Sequence, residues 1–305
     1  MLDPRLLHLL DRLDALLPGP IKVDWSAAVA WRWRRRQTGL GSQGVLQPVH
    51  HRSSITLQDL HHIDEARSLV DRNTRQFVQG LPANNVLLTG SRGTGKSSLI
   101  KACLNAYAAQ GLRLIEVDKT DLTDLPDIVD LVAGRTERFI VFCDDLSFEE
   151  GEAGYKGLKV ALDGSVAAAS DNLLIYATSN RRHLMPERMS ENLAAHHTED
   201  GEVHPAETSE EKISLSERFG LWVHFYPFRQ DDYLDVVAHW LRHHGCPESD
   251  LEASRGDALR WALERGSRSG RVAWQFARDW AGRKRLSKSR RAPGAGSSAA
   301  RSRRT

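Results

Sequence analysis

Asn85-Val86-Leu87-Leu88-Thr89-Gly90-Ser91-Arg92-Gly93-Thr94-Gly95-Lys96-Ser97 is the stretch from which the rest of this 305-residue chain is read. The apolar run Val86 to Leu88 predicts a short strand. Gly90, Gly93 and Gly95 then predict a loop that enters a helix at Lys96, whose apolar side is Leu99, Ile100, Cys103, Leu104 and Tyr107. The spacing G-x-x-x-x-G-K-S is that of a phosphate-binding loop. Glycines suit it because the backbone must wrap an anion closely, in conformations that a Cβ disfavours. Backbone N–H groups of Gly90, Ser91, Arg92, Gly93, Thr94, Gly95 and the first helical residues through Ser98 would cradle phosphate oxygens at the positive end of the helix. Lys96 would reach the β- and γ-phosphates, and Ser97 would offer a hydroxyl to Mg²⁺.

Such a loop needs a carboxylate nearby. Phe139 to Cys143 is nearly all apolar, as a strand covered on both faces should be, and it delivers Asp144 and Asp145 at its C-terminal end. Asp144 suits the metal role and Asp145 the orienting or deprotonation of an attacking water. A further buried strand, Leu173 to Ser179, ends in Asn180; beside the Asp144 strand it would place this amide near a γ-phosphate.

Composition sets the frame. Residues 283–305 hold nine Lys or Arg and no acid, so residues 1–282 carry 33 basic against 40 acidic side chains. An acidic body thus ends in a basic tail, Ser-, Arg- and Gly-rich and expected to be disordered. Cys103, Cys143 and Cys246 show no C-x-x-C spacing and read as small core residues. The amphipathic start, residues 2–17, contains Asp3, Asp11 and Asp14, which argues against a secretory signal. No apolar run approaches the ~20 residues that span a bilayer, so a cytoplasmic protein without membrane contact is expected.

Outward from the loop, residues 1–50 read as an N-terminal helix followed by a Trp/Arg extension, Trp25 to Arg36, and a Gly-rich connector, Gly39 to Pro48. In the extension, tryptophans packed on the body with solvated or acid-paired arginines are favoured over base stacking. A helix is expected over Leu57–Gln79, a second strand over Leu112–Val117, helices over Thr120–Gly134 and Tyr155–Gly164, and a fifth strand over Leu221–Phe225. Residues 181–212 are polar, with His183, His196, His197 and His204 at no ligand spacing. From about residue 229 the pattern is all-helical. The expectation is an α/β core over 51–228, a helical lid over 229–282 and the tail from 283.

The loop, Asp144-Asp145, Asn180, Arg218 and Arg271 resemble, in order, the Walker A, Walker B, sensor 1, arginine-finger and sensor 2 elements of AAA+ ATPases. Leu81 to Gly90, Phe142 to Glu149, Thr178 to Glu187 and Leu215 to Trp222 resemble, more narrowly, an uncharacterised bacterial AAA+ family known as a domain of unknown function. The resemblance implies a three-layer αβα core, a five-stranded parallel sheet with the loop-bearing strand central, and a helical lid. It further implies ATP with Mg²⁺ at the boundaries of a homo-oligomer, Arg218 entering a neighbour's site, and Arg271 (with Arg268 as competitor) touching the γ-phosphate of its own subunit. Ile63 would pack on adenine. Two positions depart from the superfamily pattern. Asp145 stands where many members have Glu, predicting slower hydrolysis and a switch rather than a fast motor, with Glu149 as a substitute; His62 stands where Gly usually precedes the Ile.

The function this implies is an oligomeric ATP-dependent switch or remodeller of a protein partner. The alternative is a DNA-associated initiator or helicase loader holding nucleic acid without sequence preference through residues 283–305. A GTPase reading of Asp118-Lys-Thr-Asp121 fails because that element precedes the metal-binding strand, and a small-molecule kinase would leave Arg218 and Arg271 without a purpose. Phe148 and Tyr155 are candidates for a partner-facing loop.

Overall fold

The computed structural model describes residues 21, 23–38, 41–148, 152–163, 171–181, 184, 196–197, 203–204 and 215–291. The N-terminal helix expected over 2–17, Glu149, His183 and residues 292–305 lie outside them. The chain divides into two compact units, Met1–Tyr226 and Pro227–Thr305.

In the first unit, the strands are β1 (Ala30–Thr38), β2 (Gly41–Pro48), β3 (Val86–Gly90), β4 (Leu112–Glu116), β5 (Arg138–Cys143), β6 (Leu173–Ser179), the two-residue pair β7 (His196–His197) and β8 (Val203–His204), and β9 (Leu221–Phe225). One sheet runs in the order β2-β1-β4-β5-β6-β3-β9, parallel throughout except between β1 and β2. It has seven strands rather than the expected five. The loop-bearing β3 lies between β6 and β9, one strand from the edge rather than at the centre. All five of its residues are buried, which explains the uninterrupted apolar run.

Helices α1 (Asp64–Val78) and α2 (Lys96–Tyr107) cover one face through Val70, Phe77, Leu99, Ile100 and Cys103. The opposite face packs α3 (Leu125–Val132) and α4 (Ala153–Asp163) through Leu125, Ile128, Val132 and Leu158. α1 begins later than the sequence suggests, because His62 takes a left-handed φ of 58° and breaks the chain between a 3-10 turn (Leu57–Asp59) and the helix. Another 3-10 turn (Lys119–Asp124) precedes α3; Asp118 caps it by accepting from the Thr120 N–H, so the Asp-Lys-Thr-Asp element has a structural task. Phe148 and Tyr155 are buried and meet edge to face, 5.9 Å between centroids, so they belong to the core and not to a partner-facing loop. Cys103 and Cys143 are fully buried, and burial pushes each thiol up to about 12.

The segment read as extension and connector is a hairpin of the sheet. Strand alternation sends Trp31 and Trp33, both 1% exposed, to the α3 face. Gly44 lies under Trp33: a Cβ there would stand 1.9 Å from the indole. Trp33 Nε1 donates to Asp124 Oδ2 at 2.9 Å, and the same carboxylate binds the Arg35 guanidinium. Arg32 pairs with Glu116 at 2.7 Å. The tryptophans thus pack in the core, Arg32 and Arg35 pair with acids, and Arg34 and Arg36 are exposed, in line with the expectation for this stretch.

The second unit contains α5 (Gln230–His243), α6 (Glu248–Glu264) and α7 (Gly270–Arg291), packed around Tyr233, Leu241, Ala258, Phe276 and Ala277. Tyr233 Oη donates to the Ala258 carbonyl at 3.1 Å. α7 continues through Arg291, so residues 283–291 are helix and not the start of a disordered tail. Lys284 Nζ pairs with Asp250 at 2.9 Å, Arg283 with Asp279 at 2.8 Å, and Arg285 donates to the His244 carbonyl at 2.6 Å.

Asp124→Ala would strand the Trp33 indole and the Arg35 guanidinium together, and is expected to cost about 2–3 kcal/mol in urea unfolding. The Arg35 hydrogen bond holds the Asp124 carboxyl below the usual carboxylate range. Its stabilisation is therefore complete above that range and lost as pH falls through the depressed folded value, so the variant should show a flatter acid limb of stability against pH.

Candidate nucleotide-binding site

The loop after β3 is built as its glycines require. Gly90, Gly93 and Gly95 have φ of 119°, 76° and 108°. At Gly90 a Cβ would lie 2.0 Å from the Phe225 carbonyl oxygen, so the loop starts in direct backbone contact with β9. Ser91 N–H donates to that oxygen at 3.3 Å, and Thr94 Oγ1 closes the loop onto the Ser91 carbonyl at 2.8 Å. Gly95 leads into α2, with its carbonyl accepting from Leu99 N–H at 2.8 Å. Ser97 and Ser98 occupy the first turn, so their N–H groups belong to the helix's orphan donors.

Parallel pairing of β5, β6 and β3 brings their C-terminal ends to the same edge of the sheet. Lys96, 6% exposed, donates from Nζ to the carbonyls of Gly90 and Ser91, each at 2.7 Å, and to Asn180 Oδ1 at 3.1 Å. Asn180 Nδ2 donates onward to Asp145 Oδ1. Ser97 Oγ donates to Asp144 Oδ1 at 2.6 Å. Arg92, 77% exposed at its side chain, stands 3.6 Å from Asp145 Oδ2. Lys96, Ser97, Asp144, Asp145 and Asn180, far apart in sequence, are thus brought to one edge of the sheet by hydrogen bonds.

Thr178 completes the group, although no motif in the sequence assigns it a role. Its hydroxyl donates to Asp144 Oδ1 at 2.5 Å and accepts from Asp145 N–H at 2.9 Å, while its carbonyl accepts from Leu146 N–H at 2.7 Å. Cys143 pairs with Ala177 across β5 and β6, so Thr178 falls beside Asp144 by register. The available signal was a hydroxyl residue two before Asn180 in an apolar strand. Asp145 adopts a left-handed φ of 55°, uncommon for a residue with a Cβ. The Thr178 clamp holds this turn, and the turn sends Asp144 to Ser97 and Asp145 to Asn180.

Ile63 lies against the loop. Its Cδ1 is 3.5 Å, and Leu60 Cδ2 3.8 Å, from the position a Gly95 Cβ would take. The left-handed φ at His62 is the conformation for which a glycine would be the ordinary choice, so His62 meets the backbone demand of this turn with a side chain. Arg218 is not part of the group. It sits before β9, at the opposite end of the sheet from the loop, and binds Asp163 at the C-terminal end of α4. Arg271, in the first turn of α7, and Arg268 belong to the second unit. Among the described residues no cluster of His, Cys, Asp and Glu forms a metal site of its own, and no helix is long and apolar enough to cross a membrane.

The donor set fits a hard divalent cation beside phosphate. A serine hydroxyl and a carboxylate 2.6 Å apart offer oxygen only, and they stand beside a loop whose glycines adopt positive φ.

This strand order and loop define an α/β P-loop fold of the AAA+ ATPase type, with two strands added at one edge. The chain belongs to the family described as "Protein of unknown function (DUF815)", which matches residues 26–284. No protein of curated function matches it. Among solved structures it is similar to the replication initiator DnaA bound to AMPPCP and single-stranded DNA (14% identity, TM-score 0.50, covering 79% of this chain and 70% of that one). It is also similar to a point variant of Thermotoga maritima RuvB (12%, 0.49, 77% and 66%) and to a chain of the E. coli MS115-1 HORMA:CdnC:Trip13 complex (13%, 0.47, 73% and 90%). The chain spans just under two thirds of the RuvB chain, and at these identities the likeness bears on fold alone.

Thr178→Val keeps the shape and removes the hydroxyl. It is expected to lower thermal stability modestly, by about 1–2 kcal/mol, because the Asp145 N–H loses its acceptor. It should also raise the Mg²⁺ concentration needed for nucleotide binding, measured by calorimetric titration at several Mg²⁺ levels.

Proposed function

We propose that this chain binds ATP with Mg²⁺ and hydrolyses it as an oligomeric switch that remodels or loads a partner. The observation that carries the reading is the hydrogen-bonded grouping of Lys96, Asn180 and Asp145 with Ser97, Asp144 and Thr178 at the mouth of a glycine loop. Lys96 would exchange carbonyl partners for phosphate oxygens, and the loop N–H groups would bind those of the remaining phosphates. Ser97 and Asp144 would hold Mg²⁺, which supplies charge neutralisation on the β- and γ-phosphates. Asp145 and Asn180 would orient the attacking water, Asp145 accepting its proton. Asp has one methylene fewer than Glu, which favours slow turnover. Ile63 and Leu60 would form one wall for the base.

Placement supports the intersubunit role of Arg218. The loop meets β9 at Phe225, whereas Arg218 precedes Leu221 at the other end. The strand between them is about 16 Å long at ~3.3 Å per residue, beyond the reach of an arginine side chain toward its own loop. A neighbour's site is therefore the one it would serve, and Arg271 of the helical unit would sense the γ-phosphate of its own. The reading of a DNA-associated loader through residues 283–305 loses part of its basis, since Arg283, Lys284 and Arg285 are engaged within the second unit.

Lys96→Ala should lose ATP binding in a fluorescent-nucleotide titration. Turnover per subunit should rise with protein concentration for the wild type. Arg218→Ala should bind ATP normally yet stay flat, with turnover lowered by roughly 10³-fold, the usual order for an arginine finger. Asp163→Asn, which removes the charge paired with Arg218 but keeps the arginine, should retain turnover. Concentration-independent activity with a dispensable Arg218 would remove the oligomeric site, and a preference for GTP over ATP in competition would remove the adenine reading.

A further inference from the structure

Residues 25–58 contain five arginines, two histidines and not one Asp or Glu, in a body whose first 282 residues carry an acidic excess of seven. The fold sorts this charge. β1 and β2 form an antiparallel ribbon that touches β4 only through Ala30, Trp31 and Arg32, so from Trp33 onward β1 leaves the sheet paired with β2 alone. Trp31, Trp33 and Arg35 take one face, where indoles and Asp124 absorb them. Arg32, Arg34 and Arg36 take the other. Across the ribbon they stand opposite Gln47, Val45 and Gln43. Arg34 and Arg36 are exposed, and Arg32 is tied to Glu116 at the sheet end of the row.

We propose that the Arg34, Arg36 and Gln47 face of the β1–β2 ribbon is a docking surface for double-stranded DNA. Alternate residues of a strand stand about 6.6 Å apart, so the guanidinium groups form a linear row that can follow a phosphate backbone. Each guanidinium can grip a phosphate bidentately. A two-stranded ribbon has the cross-section that a major groove of about 12 Å admits, and arginine and glutamine are the side chains that hydrogen-bond guanine and adenine edges there. Burial of Trp31 and Trp33 removes the aromatic platform that a single strand would stack on, which favours the duplex. The surface is separate from the phosphate loop, and the proposal stands whether or not the chain hydrolyses ATP.

The test is fluorescence anisotropy of the full chain with a labelled mixed-sequence duplex two helical turns long, between about 50 and 200 mM salt. Four proteins are compared: wild type, Arg34→Glu with Arg36→Glu, Arg34→Gln with Arg36→Gln, and a variant with Arg301, Arg303 and Arg304 changed to Ser. Both ribbon variants should weaken binding at least about tenfold and lower the slope of log K against log salt by about two, one per lost phosphate contact. The tail variant should keep most of the ribbon's contribution. Should the charge reversal perturb folding in a melting scan, the Gln pair carries the comparison alone. The proposal is overturned by any of four results: wild type that does not bind duplex, ribbon variants with unchanged affinity and slope, a single strand that outcompetes the duplex, or polyglutamate displacing the duplex at equal charge. The last would mark the face as a dock for acidic protein.

Discussion

An ammonium group that is almost fully buried is tolerable only if acceptors surround it, and Lys96 is such a group. Two loop carbonyls and the Asn180 amide oxygen meet that need. Those carbonyls belong to the glycine loop, in which Gly90, Gly93 and Gly95 adopt positive φ, and Asn180 arrives because β6 lies between β5 and β3. The strand order and the glycines thus serve the same charge. A phosphate chain entering the loop would offer that ammonium stronger, charged acceptors, which is why the geometry reads as a binding site and not as a turn.

The acidic half is held with equal economy. Thr178 binds Asp144 through its hydroxyl and receives the Asp145 N–H, in a turn where Asp145 accepts an unfavourable left-handed φ. Backbone strain of this kind persists where surrounding bonds overdetermine it, here the Thr178 and Leu146 ladder beside the turn. The two carboxylates are thereby sent to different partners, Ser97 and Asn180.

At the far edge of the sheet the same alternation of strand side chains does other work. A run of Trp and Arg that looks uniform in sequence is divided by the pleat into a buried aromatic face, pinned by Asp124, and an exposed arginine face. β1 and β2 thereby extend the sheet past β4 and gather basic charge at one edge of an acidic body.

The sequence by itself determined the strand, loop and helix around Lys96, the strands ending at Asp144 and Asn180, the last strand Leu221–Phe225 and the helical character of the C-terminal part. Each of these is a local pattern: glycines at fixed offsets, an unbroken apolar run in a strand covered on both sides, or helical periodicity. The hairpin over 30–48 was not legible, because its pairing depends on Trp33 reaching Asp124, 91 residues away, and its glycines resemble those of a connector. Thr178 was not legible either, since a threonine in a strand is ordinary until register places it beside Asp144. Only the tertiary structure decided which residues of distant strands share a hydrogen bond, and that Arg218 lies at the end of the sheet away from its own loop. Strand order and register are set by the packing of both faces at once, and no local pattern carries that information.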